Sequence, residues 1–191
     1  MLVEEKLATR QLDRVAALRR RLPMVHFRND YRFSSPEGEK SLLDLFGVHN
    51  ELVLYQFMDR GPDAFCPGCT WITDNVPTRG LTSLDRCGVS WVTVSNMPLE
   101  QIERYKAERG WTLPFVSSHA TTFSEDCGAG GGFMLNVFLR DGDDVFRTYS
   151  TVARGVDHIV WANAIQDLLP FGRKEDWEDS PEGWPQSPTY G

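Results

Sequence analysis

Two cysteines separated by a proline and a glycine, Cys66-Pro67-Gly68-Cys69, are the residues of this sequence best suited to chemistry. A pair at this spacing closes a small disulfide ring without disturbing the chain around it, and thiol exchange opens it again. Where such a motif begins a helix, the first thiol lies among backbone N–H groups without intrahelical partners, at the positive end of the helix dipole. Those surroundings bring a cysteine pKa from about 8.5 into a range of roughly 3.5–7.5, and the thiolate is the attacking species. Cys66 is therefore expected as the nucleophile and Cys69 as the resolving thiol. No cofactor-binding or metal-binding residue joins them in this reading.

A closed zinc site takes four ligands, usually with a second CxxC or a pair of histidines at short spacing. Cys87, Cys127 and the four histidines show no such spacing, so a metal reading requires Cys127 and His119 to fold back onto the motif. A structural or vestigial cysteine pair is the other alternative to redox use. Cys87 follows Leu81 and Leu84 and is expected as a buried or half-buried free thiol. Cys127 lies in Glu125-Asp126-Cys127-Gly128 and is read first as an inert thiol, a third redox thiol being the alternative. The Asp126 carboxylate beside it opposes thiolate formation.

The elements that must position the motif can be read on either side of it. Leu52–Met58 is a nearly continuous apolar run of the kind expected for a buried strand, and the motif comes after a loop over 59–65. A helix is expected from Cys66 toward Asn75, with Pro77 as its stop. Ser90–Ser95 reads as the next strand, and Leu99, Ile102 and Tyr105 give the following helix an apolar face ended by Gly110. Residues 115–132 read as irregular. Phe133–Leu139 and Val145–Tyr149 bracket Asp141-Gly142, a strong hairpin signal. A final helix over 156–169 is expected to turn Val156, Ile159, Val160 and Leu168 to the core.

Upstream, residues 4–22 read as an amphipathic helix stopped by Pro23, its Arg19-Arg20-Arg21 run forming a solvated basic end. Residues 25–33 read as extended, Ser34–Lys40 as a polar turn, and Leu42–Phe46 as a helical turn ended by Gly47. Strand–helix alternation followed by a hairpin implies parallel pairing with antiparallel strands added at one side. The expected fold is α/β and thioredoxin-like, a central mixed sheet flanked by helices. Its parts are an N-terminal helical extension over 1–24, the thioredoxin-like domain over 25–172, and a Pro/Trp-rich acidic tail over 173–191.

Composition narrows the partners. A chain of 191 residues with 41% hydrophobic and 25% charged residues has the makeup of a soluble globular domain that needs no disulfide staples. A formal net charge of −7 argues against nucleic acid, whose binding relies on Lys and Arg neutralising phosphates. No apolar run approaches the ~20 residues of a membrane span, and the N-terminus lacks the order of a signal peptide. Cytoplasmic residence is the expectation, and there a close cysteine pair is more often redox-active or metal-binding than structural.

The sequence resembles the thioredoxin-like family of bacterial proteins designated DUF899. The matching residues include Arg20-Arg21-Leu22-Pro23, Tyr31-Arg32-Phe33, Asp44-Leu45-Phe46, and Phe57-Met58 leading to Cys66-Pro67-Gly68-Cys69. They continue with Val116-Ser117-Ser118, Thr148-Tyr149-Ser150, Arg154-Gly155, Pro170-Phe171-Gly172-Arg173 and Gly183-Trp184-Pro185-Gln186. The resemblance implies a thioredoxin-like fold and a redox role. The dipeptide inside the motif is reversed relative to that of thioredoxin. Where redox-active thioredoxin folds usually place a cis-proline facing the cysteines, this sequence has Gly131-Gly132-Phe133.

The function read from the sequence is thiol–disulfide oxidoreduction by a dithiol at a helix N-terminus, on a protein or small-molecule thiol or disulfide. One alternative is a redox-inert binding or scaffolding protein. The other is a thiol peroxidase, for which Thr70 and Arg147 are candidate partners of the thiolate. Arg154 is a further candidate near a ligand, with Thr148, Tyr149 and Ser150, although Tyr149 most simply finishes a strand. Trp177 and Trp184 are expected to cover an apolar patch of the domain or of a second copy in a homodimer.

Overall fold

The computed structural model describes residues 1–189; the last two residues of the expected tail, Tyr190 and Gly191, lie outside the described residues. The chain begins with helix α1 (Leu2–Arg19), none of whose residues is buried. The expected amphipathic packing is therefore corrected: Leu7, Leu12 and Leu18 are exposed. Only Val15, Ala16, Ala17 and Arg19 of the helix are partly covered, so its leucines stay open to solvent. Contact back to the sheet comes from Arg19, whose guanidinium lies 5.0 Å from the centre of the Tyr149 ring.

Strand β1 (Val25–Phe27) is followed by the hairpin of β2 (Arg32–Ser35) and β3 (Gly38–Ser41), and a 3₁₀ turn (Asp44–Phe46) buries Leu45 and Phe46. The apolar run becomes β4 (Glu51–Phe57), and the cysteine motif opens α2 (Pro67–Asp74). Helix α3 (Thr78–Arg86) comes next, then β5 (Val89–Ser95) and α4 (Leu99–Arg109). Gly110 takes the left-handed conformation (φ 68°) that ends α4, as expected of a glycine there. Beyond it lie β6 (Phe115–Ser117), the single turn α5 (Phe123–Asp126), and the hairpin of β7 (Met134–Asp141) and β8 (Asp144–Thr151). A 3₁₀ segment (Ala153–Ile159) and helix α6 (Trp161–Gln166) precede the tail.

All eight strands join one mixed sheet in the order β1-β8-β7-β4-β5-β6-β2-β3. Strands β4, β5 and β6 run parallel, whereas β7 is antiparallel to β4 and to β8. The succession β4–α2–β5–α4–β7–β8–α6, with β4 between β5 and β7, is the thioredoxin-like fold. Alternation along β4 divides the core in two. Leu52 and Leu54 face a layer containing Phe33, Phe46, Phe123 and Phe138. Tyr55 and Phe57 face the other layer, where Cys66, Cys69, Ile72, Ile102, Val156 and Val160 pack.

Three local expectations are corrected. Pro77 is not only a stop: in extended conformation it is the N-terminal cap of α3, where a missing N–H costs nothing. Residues 115–132 are not irregular throughout, since Phe115–Ser117 pairs with both β5 and β2. The final helix is broken at Val160, whose backbone is extended (φ −97°, ψ 100°) as its side chain enters the core. Leu168, beyond the end of α6, is 79% exposed rather than buried.

Candidate active site

Strand β4 is buried on both faces and ends at Phe57, so its C-terminal end is a rigid platform for the loop and helix beyond it. That loop is held to α4. Gln101 Nε2 donates to the Gly61 carbonyl at 2.7 Å, Arg104 Nη2 donates to the Pro62 carbonyl at 3.0 Å, and the Phe65 ring stacks on Tyr105 at 3.5 Å. The Tyr105 and Thr70 hydroxyls lie 2.8 Å apart, and the Thr70 hydroxyl also reaches the Cys66 carbonyl at 2.9 Å. Strand, loop and helix start are thus fixed relative to one another.

Cys66 is the N-cap of α2, with extended backbone (φ −70°, ψ 116°), and Pro67 occupies the first helical turn. Proline at that position is preset for the helix and lacks only an N–H that would have had no partner. The Pro-Gly order therefore suits the geometry. The Cys69 backbone N–H donates to Cys66 Sγ at 3.4 Å. The Cys66 thiol is brought down to about 6, first by the hydrogen bond from the Cys69 thiol, with burial opposing, and then by the Cys69 and Gly68 N–H groups and the Arg60 charge. Cys69 is 1% exposed, and its sulfur accepts the Met58 N–H at 3.4 Å. Its own pKa is pushed upward by the bond to Cys66 and by burial, while Tyr55 and the Met58 N–H act the other way. Both cysteines are free thiols here.

A cleft of about 410 Å³ opens on these thiols. Met58, Ile72, Phe133, Val156 and Val160 form apolar wall, and Arg60, Arg154, Asp157, Arg173, Glu175, Trp177 and Thr189 form polar wall and roof. Arg173 is anchored at 2.8 Å to Asp157 and at 2.7 Å to Asp167, and these carboxylates raise its pKa. Arg154 donates to Asp157 at 3.2 Å and lies 3.6 Å over the Trp177 ring. Phe133, directly before β7, lines the cleft, and no peptide bond among the described residues is cis.

The structure brings Cys66 and Cys69 together in the lining of this cleft, and it adds Arg154 from the motif Arg154-Gly155. It does not bring Thr70 and Arg147 to the thiolate. The Thr70 hydroxyl is turned to Tyr105, and Arg147 donates to the Cys127 carbonyl at 2.6 Å on the opposite side of the sheet. Cys127 belongs to that opposite layer, apart from the motif. Burial, with a smaller contribution from Asp126, pushes its thiol up to about 12 against the pull of Arg147. The ring nitrogen Nδ1 of His119 lies 3.0 Å from the Asn96 carbonyl, so neither residue folds back onto Cys66. Cys87 is exposed at the end of α3, contrary to the expected burial, because Leu81 and Leu84 take the inward face. Trp177 lines the cleft of its own chain, and Trp184 packs edge-on against Phe171.

Arg60, Asp157 and Arg173 were missed from sequence. Arg173 had a signal, its place in the matched Pro170-Phe171-Gly172-Arg173; Arg60 had none beyond its position in the loop before the motif.

A family model described as "Bacterial protein of unknown function (DUF899)" matches residues 1–190. No curated protein matches the chain. Among solved structures the chain is similar to the Xanthomonas campestris bacterioferritin comigratory protein, which is described in terms of alkyl peroxide reduction (20% identity, 70% of this chain, 89% of that one, TM-score 0.46). It is similar to the peroxidoxin BcpB of Mycobacterium tuberculosis (18% identity, 73% and 94% covered, TM-score 0.49). A hypothetical protein of Sinorhizobium meliloti 1021 is another (15% identity, 78% and 85% covered, TM-score 0.48). Likeness at this level carries no chemistry to the chain, and the fold rests on the strand order described above. Among the described residues no helix is long and apolar enough to cross a membrane.

Proposed function

The chain belongs to the DUF899 family, and from the thiol geometry we propose that it is a thiol–disulfide oxidoreductase with Cys66 as nucleophile and Cys69 as resolving thiol. The observation that carries the reading is the inequality of the two sulfurs. Cys66 Sγ receives the Cys69 N–H at 3.4 Å at the start of a helix, whereas Cys69 is sealed behind it at 1% exposure. A thiolate at the front of the cleft and a protonated thiol behind it are what a two-step exchange needs.

In the first step the Cys66 thiolate forms a bond to one sulfur of a substrate disulfide, and the other sulfur leaves as a thiolate. In the second, Cys69 loses its proton and its sulfur attacks Cys66 Sγ, releasing the remaining substrate thiolate. Two electrons pass to the substrate, and the two protein thiols become a disulfide. Cytoplasmic residence in a reducing environment suits a protein whose working form is the dithiol.

Trapping tests the proposal. Cys69→Ser is expected to accumulate a mixed disulfide with bis(2-hydroxyethyl) disulfide through Cys66, and Cys66→Ser none, by intact mass. A pair inert to this disulfide and to dithiothreitol after oxidation would leave the redox-inert binding protein as the reading. Faster reaction with an alkyl hydroperoxide than with any disulfide would make the chain a thiol peroxidase instead.

A further inference from the structure

The roof of the cleft is an ordered strap made by the chain after α6. The Glu178 carboxylate accepts the Arg173 N–H at 3.1 Å and the Glu175 N–H at 3.0 Å. Asp176 N donates to the Ser187 carbonyl at 3.0 Å, and Ser187 N donates to the Lys174 carbonyl at 2.9 Å. The strap is clasped to the wall where Arg154 lies 3.6 Å over the Trp177 ring. Beneath it Cys66 keeps only 9% of its surface exposed, in a space of about 410 Å³. A space of this size holds a small organic molecule, and Glu175 and Trp177 of the strap line it.

The charge within the cleft is equally selective. Asp157 is held by Arg173 and Arg154, and Glu175 is bonded to the Trp177 indole N–H. Arg173 is itself held between Asp157 and Asp167. Arg154 uses its Nε on Asp157, and its Nη groups have no hydrogen-bond partner among the described residues. Arg60 forms no hydrogen bond or ion pair among them and faces the same cleft. The Arg60 charge therefore acts on the Cys66 thiolate, and free Arg154 donors line the same cleft, in a chain of net charge −7; guanidinium forks match carboxylates bidentately.

We propose that the substrate of the Cys66–Cys69 pair is a low-molecular-weight disulfide bearing a carboxylate, which Arg60 and Arg154 engage in the cleft. The proposal rests on the oxidoreductase reading and narrows it. Atoms and electrons balance as in the exchange above: one small disulfide and two protein thiols give two small thiols and the Cys66–Cys69 disulfide.

The test is a single-turnover reaction of the dithiol protein with three probes, followed by loss of protein thiols. The dianion 3,3′-dithiodipropionate is expected to react about tenfold faster than neutral bis(2-hydroxyethyl) disulfide, as one charge-assisted contact predicts. The disulfides of insulin are expected to react most slowly. Arg60→Gln with Arg154→Gln is expected to bring the two small probes to equal rates. Arg60→Gln alone, at an exposed and unbonded position, is expected to remove part of the preference. Equal rates in the native protein, a preference that survives in the double variant, or insulin as fast as the dianion would overturn the proposal while leaving the oxidoreductase reading in place. Exchange with none of the probes would overturn both.

Discussion

Cys69 holds Cys66 in two ways: its backbone N–H lies 3.4 Å from Cys66 Sγ, and its thiol hydrogen-bonds the same sulfur. The thiol bond is the larger influence on Cys66, ahead of both backbone N–H contributions and of Arg60. On the oxidoreductase reading, the resolving cysteine thus doubles as the group that activates the nucleophile. Its own sulfur is steadied from behind by the Met58 N–H, the first backbone donor after β4.

Alkylation of Cys66 by iodoacetamide is accordingly expected to rise tenfold per pH unit and level off above about 6. Cys69→Ala removes the largest favourable contact and is expected to move that midpoint upward; Cys69→Ser keeps a donor and is expected to move it less. The linkage has a definite sign. Because the folded value lies below the unfolded one near 9, Cys66 stabilises the dithiol fold fully above 9, and that contribution is lost as pH falls through about 6. Urea midpoints across this window, compared with Cys66→Ser, check the sign.

The different environments of Cys87 and Cys127 predict a labelling pattern. With iodoacetamide at neutral pH the native dithiol protein is expected to react at Cys66 and at exposed Cys87. Cys127, 2% exposed with its thiol pushed up to about 12, is expected to react only on unfolding. Cys127→Ser places a hydroxyl in an apolar layer and is expected to cost about 1–3 kcal/mol, with disulfide exchange at Cys66 unchanged. Peptide mapping of the labelled protein and a denaturant melt measure these separately.

The reach of α4 toward the motif predicts a graded effect at Tyr105. Tyr105→Phe keeps the ring on Phe65 and loses the 2.8 Å contact with Thr70, for a loss of about 1 kcal/mol. Tyr105→Ala also removes the stack that fixes the loop before Cys66, and about 2–4 kcal/mol is expected. Thermal melts rank the two variants. If the stack positions Cys66, the Ala variant alone is expected to slow exchange per folded molecule.

Legibility in the sequence tracks the strength of its periodic signals. The run at 52–58, the β-branched stretch at 90–95 and the Asp141-Gly142 turn each admit one local structure, and β4, β5 and the β7–β8 hairpin lie there. The cysteine pair at a helix start was legible for the same reason. Strand β6 was not: three residues carry no period, and they are a strand because β5 and β2 supply partners on either side. Helix α1 misled in the opposite direction, since its leucines have helical spacing yet none of them is buried. The cleft was the least legible feature. Arg60, Arg154 and Trp177 lie in a loop, a 3₁₀ segment and the tail, apart in sequence, and only tertiary structure brings them around the cleft.

Gly155 connects this cleft to the sheet. A Cβ built there would lie 1.9 Å from Thr151 Oγ1 and 3.2 Å from Thr151 Cβ, so rotating the hydroxyl away does not clear the clash. Gly155→Ala must instead move the 3₁₀ segment off the end of β8, and overpacking of this kind costs about 1–3 kcal/mol. The segment carries Arg154, Val156 and Asp157, so the movement displaces the guanidinium from Trp177 and Asp157 from Arg173. The strap loses its clasp as a result. Gly131→Ala is the control, since its Cβ would meet nothing within 4 Å and its φ is not positive. Gly131→Ala is expected to be neutral or to stabilise by about 0.4–1 kcal/mol through the unfolded chain. The expected outcome for Gly155→Ala is a lowered melting temperature together with increased proteolysis after Lys174, whose carbonyl the strap now holds through the Ser187 N–H. Equal protection of the two variants would show that the strap is held from elsewhere, through Glu178 and the pairing of residues 174–176 with Ser187.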